Sequence, residues 1–318
     1  MKNIVVLDGI TLGDVNYRLL DEFGKVIYYD KTSELEVKDR IREANIVLTN
    51  KVVLNKDNLK EAKNLELICE TGTGFNNIDI KYAKEKNIAV TNVAGYSTST
   101  VAQHTFATLL YLYDKIGYYD NYVKSSKYAD SDSFTNLKVP FHDIEGKIWG
   151  IVGLGSIGRR VAKIAEAFGA KVVYYSTSGQ NNDSIYERVE LDKLLKESDI
   201  ISIHAPLNHS TLGLFNYNNI KKMKRNAVLV NMGRGPIVVE EDLRVAIDED
   251  LIGGAALDVF AVEPMEKDNP LLKIKNKEKL VLTPHIAWAS VEARDRLFND
   301  LIENIKAFYE GVKRNRVE

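Results

Sequence analysis

A glycine-rich hexapeptide, Gly153-Leu154-Gly155-Ser156-Ile157-Gly158, constrains this chain more than any other sequence feature. An apolar run, Ile148 to Val152, precedes it, and a helical stretch, Arg160 to Phe168, follows it. Such glycines permit a tight turn, close approach of main-chain N–H groups to a pyrophosphate, and close packing of helix on strand. A glycine turn could serve packing alone, but here strand and helix stand where phosphate binding requires them. We therefore expect a dinucleotide site whose contacts come from Gly153, Gly155, Ser156 and Ile157.

The composition restricts the number of domains and the kind of partner. A chain of 318 residues predicts two domains, because one domain usually holds roughly 100–200 residues. Its 43 Lys and Arg residues nearly balance 45 Asp and Glu residues, so no basic surface for nucleic acid or an anionic membrane is expected. A small-molecule partner is favoured. The apolar run after Met1 is too short for a signal peptide, and no run approaches the roughly 20 residues of a membrane span, which predicts a cytoplasmic protein.

Short apolar runs alternate with polar amphipathic segments along most of the chain. This alternation predicts βαβ units, and hence parallel sheets covered by helices on both faces. The runs before the glycine turn are Ile4–Leu7, Val26–Tyr29, Ile46–Thr49, Leu65–Cys69 and Ile88–Val93. Those that accompany or follow it are Ile148–Val152, Lys171–Tyr175, Ile200–His204, Ala227–Asn231, Gly254–Asp258 and Leu280–Thr283. We predict an α/β fold with two doubly wound parallel-sheet domains.

The segment between the two series predicts a helix over Val101–Tyr113 and then an aromatic-rich, loop-like insert from Tyr118 to His142. Since long irregular inserts usually have a function, we expect this one to pack across a dimer. The last helix is predicted over Val291–Tyr309. If it returns to the first sheet, residues 1–100 and 288–318 form one discontinuous domain, and residues 101–287 form a dinucleotide-binding domain inserted in it.

Three further segments follow directly after predicted strands: residues 231–235, 257–264 and 283–288. In an open parallel sheet, ligands bind beyond the carboxyl ends of the strands, so polar residues there converge although they are distant in sequence. Arg234, Glu263 and His285 are thus candidates for one site. Each has an ordinary alternative, namely a solvated loop charge, a turn acid before proline, and a surface or core imidazole.

Together with the glycine turn, these motifs resemble the D-isomer-specific 2-hydroxyacid dehydrogenases over nearly the full length of the chain. The likeness is greatest to the glycerate dehydrogenase/hydroxypyruvate reductase branch, through Thr283-Pro284-His285-Ile286-Ala287-Trp288-Ala289-Ser290 followed by Glu292-Ala293-Arg294. The segment from Tyr122-Val123-Lys124-Ser125 through Phe141 to Gly146-Lys147 is similar to that branch as well. The resemblance implies a Rossmann-type cofactor domain inserted in a flavodoxin-like substrate-binding domain, and a homodimer.

The resemblance also implies roles for individual residues in the reduction of a small 2-keto acid such as hydroxypyruvate or glyoxylate. Arg234 would hold the substrate carboxylate with its planar bidentate fork and polarise the keto oxygen. His285 would be the acid in reduction and the base in oxidation, and Glu263 would orient its imidazole and favour its protonated form. Main-chain N–H groups of the Gly72–Phe75 loop, with Thr73 and Gly74, would bind the remaining carboxylate oxygens. Asp258 would contact the nicotinamide carboxamide.

One departure from the family pattern bears on the choice of cofactor. The strand Lys171–Tyr175 is followed by Ser176-Thr177-Ser178, where the family usually has an acid that selects NAD. With no carboxylate to repel a 2′-phosphate, the three hydroxyl side chains favour NADP(H). No arginine lies in this stretch to anchor that phosphate, so NAD(H) stays the competing prediction.

The other histidines and a rival function complete the predictions. His204, with Pro206, follows a strand and either lines the cofactor site or packs in the core, whereas His104 is expected to be a core or interface histidine. No cluster of residues has the spacing of metal ligands, so no metal site is expected.

A nucleotide-sensing, corepressor-like binding protein on the same scaffold is the alternative to an enzyme, since fold alone does not define function. The complete set Arg234, Glu263 and His285 favours the enzyme.

Overall fold

Five strands form a wholly parallel sheet in the first third of the chain in the computed structural model, which describes residues 1–318. They are β1 (Lys2–Val6), β2 (Gly24–Tyr28), β3 (Ile46–Thr49), β4 (Leu67–Glu70) and β5 (Ala89–Thr91). Their spatial order is β2-β1-β3-β4-β5, the order typical of flavodoxin-like doubly wound folds. Since the order reverses between β1 and β3, the loops after these two strands flank the switch point of the sheet.

The last helix of the chain packs on this first sheet. The helices of this part are α1 (Val37–Ile41), α2 (Lys56–Leu59), α3 (Ile80–Glu85) and the C-terminal helix, Val291–Tyr309, described below as α10. Ser290 caps that helix by accepting a hydrogen bond from the Ala293 N–H, and the helix contacts β4. After the helix, the Val317 N–H donates to the carbonyl of Val90, so the end of the chain lies against β5.

Seven parallel strands form the second sheet. They are β6 (Ile148–Val152), β7 (Lys171–Tyr175), β8 (Glu187–Arg188), β9 (Ile200–Ile203), β10 (Val228–Asn231), β11 (Gly254–Leu257) and β12 (Leu280–Leu282). Their spatial order, β12-β11-β10-β9-β6-β7-β8, is that of a Rossmann fold with one added strand. Because β10, β11 and β12 are adjacent and parallel, the loops that follow them emerge at the same edge.

Six α-helices accompany the second sheet. They are α4 (Thr98–Tyr113), α5 (Ile116–Lys124), α6 (Ser156–Ala167), α7 (Leu191–Glu197), α8 (Tyr217–Ile220) and α9 (Glu240–Asp248). Side chains that alternate along the strands fill two hydrophobic cores, one on each face. Leu229 faces the core that contains Phe215 and Leu243, whereas its neighbours Val228 and Val230 face the core that contains Trp149.

The contacts divide the chain into two units, Met1–Ser97 with Ala289–Glu318, and Thr98–Trp288. The predicted fold class is confirmed, since both sheets are parallel and doubly wound. Ile46–Thr49, Ile148–Val152, Lys171–Tyr175 and Val291–Tyr309 have the predicted bounds. None of the helices is both long and apolar enough to cross a membrane.

Two segments differ from the predictions. The insert from residue 118 begins within α5 instead of being loop-like throughout, and its irregular part starts after Lys124. Strand β8 was not predicted, because Glu187 and Arg188 are both exposed charged residues and carry no apolar signal. It pairs as an edge strand with β7, through Val173 and Tyr174.

Candidate active site

His285 and Glu263 form a hydrogen-bonded pair at the carboxyl edge of the second sheet. His285 follows β12, Glu263 follows β11, and the imidazole Nδ1 lies 2.7 Å from Glu263 Oε2. The second carboxylate oxygen, Oε1, accepts the N–H of Phe260 at 3.0 Å, which fixes the carboxylate plane. A carboxylate accepts and does not donate, so Nδ1 carries the proton of a neutral ring and Nε2 is left to exchange a proton with a ligand.

Asp258 holds the turn that carries His285. Its Oδ1 accepts the Ile286 N–H at 2.9 Å, its Oδ2 accepts the Ala287 N–H at 2.8 Å, and its carbonyl accepts the His285 N–H at 2.8 Å. The side chain is only 1% exposed. His285 has a φ of +55°, in the left-handed region that non-glycine residues rarely adopt. Because Asp258 accepts the N–H groups of His285 and of the two residues that follow it, it holds this residue in a backbone conformation that non-glycine residues disfavour.

His104 and Thr283 extend this hydrogen-bond network. Thr283 Oγ1 donates to Asp258 Oδ1 at 2.6 Å, and His104 Nε2 lies 3.0 Å from the same hydroxyl oxygen. A hydroxyl has one proton, so the Thr283 oxygen accepts from His104 Nε2–H. The sequence predicts a core or interface role for His104, and the ring is part-buried and bonds a residue 179 positions away. Only the fold brings these two residues together.

Arg234 lies in the loop after β10, next to the segment that leads to Glu263. Its Nη1 donates to the Gly233 carbonyl at 2.8 Å, and its own carbonyl accepts from Asn231 Nδ2 at 3.0 Å. A Cβ at Gly235 would lie 1.9 Å from the carbonyl carbon of Phe260, so only glycine allows the two loops to approach so closely. The guanidinium is partly exposed at the edge where His285 and Glu263 also lie.

The glycine turn after β6 has the geometry of an anion site. Gly153 has a φ of +91°, and a Cβ there would lie 2.8 Å from Ala205. A Cβ at Gly158 would lie 2.4 Å from the Gly153 carbonyl oxygen, whereas Gly155 faces open space. Helix α6 begins at Ser156 with no side chain capping it, so its first N–H groups are available to a phosphate. These features fit the pyrophosphate of a dinucleotide.

His204 has a buried ring with no protein partner. It follows β9, and its main-chain N–H donates to the Val152 carbonyl at 2.9 Å, next to the glycine turn. Neither ring nitrogen has a hydrogen-bond partner, and burial lowers the pKa of the imidazole to about 3. Such a neutral, unpartnered ring is unusual for a residue that serves packing alone. Pro206, two residues later, is exposed, and its carbonyl accepts from Thr211 Oγ1.

The loop after β7 contains Ser176, Thr177 and Ser178, and hydrogen bonds through Asn181 connect it to the glycine turn. Ser176 Oγ accepts the Asn181 N–H at 3.2 Å, and Asn181 Nδ2 donates to the Leu154 carbonyl at 2.8 Å. Arg188, from the unpredicted strand β8, donates from Nη1 to the Gly179 carbonyl at 2.8 Å. The fold thus supplies an arginine to a loop whose own sequence lacks one.

In the first unit, the loop after β4 has main-chain N–H groups free for a ligand. The Gly72 carbonyl accepts the Val93 N–H, and Thr73 Oγ1 donates to the Val93 carbonyl at 2.9 Å. The Thr73 carbonyl accepts from Asn92 Nδ2 at 2.8 Å. The N–H groups of Thr73, Gly74 and Phe75 make no hydrogen bond within the chain. Successive free N–H groups of this kind form a concave site for an anion such as a carboxylate.

Comparisons with known proteins show which family and which solved structures the chain is similar to. Residues 106–287 match the family model described as D-isomer specific 2-hydroxyacid dehydrogenase, NAD binding domain. The chain is 38% identical to the hydroxypyruvate reductase of Blautia hydrogenotrophica, covering 99% of each chain, and 36% identical to the glycerate dehydrogenase of Methylorubrum extorquens, covering 100% of this chain and 99% of that one. A solved acyclic imino acid reductase in complex with NADPH and D-Arg superposes with a TM-score of 0.87 at 28% identity, covering 99% of this chain and 100% of that one.

Proposed function

We propose that this chain, which belongs to the D-isomer-specific 2-hydroxyacid dehydrogenase family and is an NAD(P)-dependent oxidoreductase, reduces a small 2-keto acid of the hydroxypyruvate and glyoxylate class. The relatives named above support the substrate class. The observation that carries the proposal is the 2.7 Å contact between His285 Nδ1 and Glu263 Oε2 at the edge where Arg234 also lies. It leaves His285 Nε2 able to exchange a proton, and Arg234 supplies a guanidinium, at the carboxyl edge formed by β10, β11 and β12, where α/β sheets bind ligands.

The chemistry assigned to these residues is reduction of the keto carbon. When bound, the reduced nicotinamide supplies a hydride to C2 of the substrate. His285 Nε2 gives a proton to the C2 oxygen, and Glu263 stabilises the imidazolium before that transfer and orients the ring throughout. Arg234 binds the substrate carboxylate with two parallel N–H donors and polarises the keto oxygen. In the oxidative direction His285 takes the proton back.

We assign the cofactor and substrate contacts by the same reasoning. Gly153, Gly155, Ser156 and Ile157 would bind the pyrophosphate, and the unpartnered ring of His204, with Pro206, would contact the nucleotide. The loop at Thr73 and Gly74 would bind the substrate carboxylate, which makes residues 1–100 and 288–318 the substrate-binding part and 101–287 the cofactor part. Asp258 remains the proposed contact to the nicotinamide carboxamide, although both its oxygens already accept N–H groups.

NADP(H) is the proposed cofactor, with NAD(H) as the competitor. The loop that starts with Ser176, Thr177 and Ser178 has no carboxylate before Asp183, and Arg188 brings a guanidinium to Gly179 of the same loop. A guanidinium suits a phosphate, because its N–H donors match two phosphate oxygens at once. The solved relative with NADPH supports the same choice.

We also propose a homodimer that uses the aromatic insert. Phe134 is 90% exposed and Leu137 is 80% exposed, and both line a 390 Å³ cavity with tyrosines of α5. Large apolar side chains this exposed favour a contact with another chain. Light scattering should give twice the monomer mass, and Phe134→Ser with Leu137→Ser should lower it to the monomer value.

A screen of 2-keto acids, followed at 340 nm with NADPH and NADH, tests the function. The proposal predicts oxidation of NADPH with hydroxypyruvate or glyoxylate, and the panel should include 2-imino acids because of the solved imino acid reductase. Cofactor binding without oxidation by any member of the panel would refute the enzyme and favour the nucleotide-sensing alternative.

A further inference from the structure

A buried carboxyl group, Glu70, lies beneath the Gly72–Phe75 loop of the first unit. Glu70 is the last residue of β4 and is 1% exposed. A Cβ built on Gly72, where the Gly72–Phe75 loop begins, would lie 3.5 Å from Glu70 Oε1. The carboxyl group therefore lies within contact distance of the loop, but it is too deeply buried to touch a ligand.

Glu70 closes this loop at its base. Its Oε2 accepts from Asn77 Nδ2 at 3.0 Å, so the residue that precedes the loop is bonded to one that follows it. The same amide group also donates to the Val52 carbonyl, and the Asn77 carbonyl accepts the Leu54 N–H at 2.8 Å. The loop after β3 is thereby tied to the loop after β4 through Asn77.

The hydrogen-bond donors around Glu70 are too few for a buried carboxylate. Its Oε1 is buried and has no partner, so an ionised Glu70 would have a single protein donor for two charged oxygens. Asp8, after β1, shows the contrast, because its carboxylate accepts the N–H groups of Asn50, Lys51 and Val52. A buried carboxylate needs such donors, and Glu70 lacks them.

The charged groups that face Glu70 have opposite effects on its ionisation. The pKa of Glu70 is raised to about 9, chiefly by burial and in part by the negative charge of Asp8, while the Asn77 hydrogen bond and Lys51 oppose this rise. Burial also raises the pKa of Asp8. Glu70 therefore keeps its proton at neutral pH.

We propose that Glu70 is a positioning residue that, as an uncharged carboxylic acid, closes the base of the Gly72–Phe75 loop and lets the loop accept the carboxylate of the substrate. The inference rests on the function proposed above and adds a pH limit to it. An ionised Glu70 would put a negative charge beneath the N–H groups that bind the substrate carboxylate, where the low dielectric screens it poorly. Substrate binding should then weaken while cofactor binding does not.

The test uses calorimetry to measure the binding of oxalate to the NADPH complexes of two variants. The first variant carries His285→Gln alone, and the second carries His285→Gln together with Glu70→Gln. The His285 substitution removes both turnover and the imidazole, and oxalate keeps its charge over the pH range used. Glutamine has the shape and the neutrality of a protonated glutamate. We expect the oxalate Kd of the first variant to rise about tenfold or more between pH ~7 and pH ~10, and that of the second to change less than about twofold.

Glu66→Gln in the same His285→Gln background is the matched control, because Glu66 is a part-exposed acid just before β4, paired with Lys2. It should keep the alkaline rise in Kd. The inference is overturned if Glu70→Gln leaves that rise intact, weakens oxalate binding tenfold at neutral pH, or prevents folding. If the wild-type enzyme oxidises NADPH with a keto acid and any of these results is found, only this inference is overturned. A wild type inactive on every keto acid removes the proposed function as well.

Discussion

Thr283 Oγ1 donates to Asp258 Oδ1 over 2.6 Å, and this bond joins the ends of two neighbouring strands, β12 and β11. The same carboxylate holds the main chain on the far side of His285. We therefore expect the position of the His285 imidazole to depend on this hydroxyl, which makes no hydrogen bond to the ring itself.

Thr283→Val should lower kcat about tenfold and the free energy of unfolding by about 1–3 kcal/mol, because it removes a donor to Asp258 and leaves the His104 Nε2–H without its acceptor. Thr283→Ser keeps the hydroxyl and should restore both values. Steady-state kinetics and urea denaturation measure the two effects. Equal kcat values for the Val and Ser variants would show that the hydroxyl does not position His285.

His285→Gln should reduce kcat/KM about 10²- to 10⁴-fold, since general acid catalysis usually contributes that much. The glutamine amide can still donate a hydrogen bond to Glu263, so the fold and the dissociation constant for NADPH should change little. His209→Gln, at an exposed histidine in a loop of the same unit, is the control and should behave as wild type. Near-normal turnover in the His285 variant would exclude it as the proton donor.

Arg234→Lys should lower kcat/KM for the keto acid about 100-fold, mainly through a higher KM. Lysine keeps the charge but loses the bidentate geometry that matches a carboxylate. Arg225→Lys, at an exposed arginine just before β10, serves as the matched substitution and should have no such effect. If Lys at position 234 supports the wild-type KM, the substrate carboxylate is bound elsewhere.

Arg188→Gln should reduce kcat/KM with NADPH about tenfold and leave the value with NADH unchanged, because only NADPH carries the 2′-phosphate. Lys193→Gln removes another exposed cation nearby, one that pairs with Glu187, and should not discriminate between the cofactors. A wild-type preference for NADH of tenfold or more would refute the proposed cofactor.

Glu70→Gln should become more stable relative to wild type as the pH rises from about 5 to about 9. The folded-state pKa of Glu70 is raised to about 9, so above the unfolded value, 4.5, the native state holds a proton that the unfolded state has lost. Wild type therefore loses stability with rising pH until Glu70 ionises in the folded state, and the glutamine variant does not. Melting temperatures measured across this range should diverge, and parallel curves would contradict a buried neutral acid.

Continuous apolar runs were the part of the fold that the sequence predicted best. Ile46–Thr49 and Ile148–Val152 are buried along nearly their whole length, so hydrophobicity alone bounds them, and α10 begins where Ser290 can cap it. Helix α5 buries none of its side chains, and the sequence did not separate it from the loop-like insert that follows. Strand β8 has only two residues, both charged and exposed, and forms through its neighbour β7.

The candidate site was predictable where residues follow strands and unpredictable where they act through distant partners. Arg234, Glu263 and His285 could be proposed from their positions, because parallel strands bring such loops to one edge. His104 could not be linked to Thr283, nor Arg188 to Gly179, since each pair is made by packing between separate elements. Glu70 resembled an ordinary strand end, and a polar residue closing an otherwise apolar run was its one signal.

Helix α10 packs on the first sheet, and Val317 contacts Val90 of its strand β5. Both contacts are made by residues near the C-terminal end of the chain, which are synthesised last. During translation, residues 98–288 leave the ribosome as an uninterrupted segment and can complete their own core, while β4 and β5 still lack this cover. Residues 1–97 must therefore wait, with apolar surface uncovered, until synthesis has passed Val317. Nascent chains stalled before Val291 should thus be the ones that recruit chaperones.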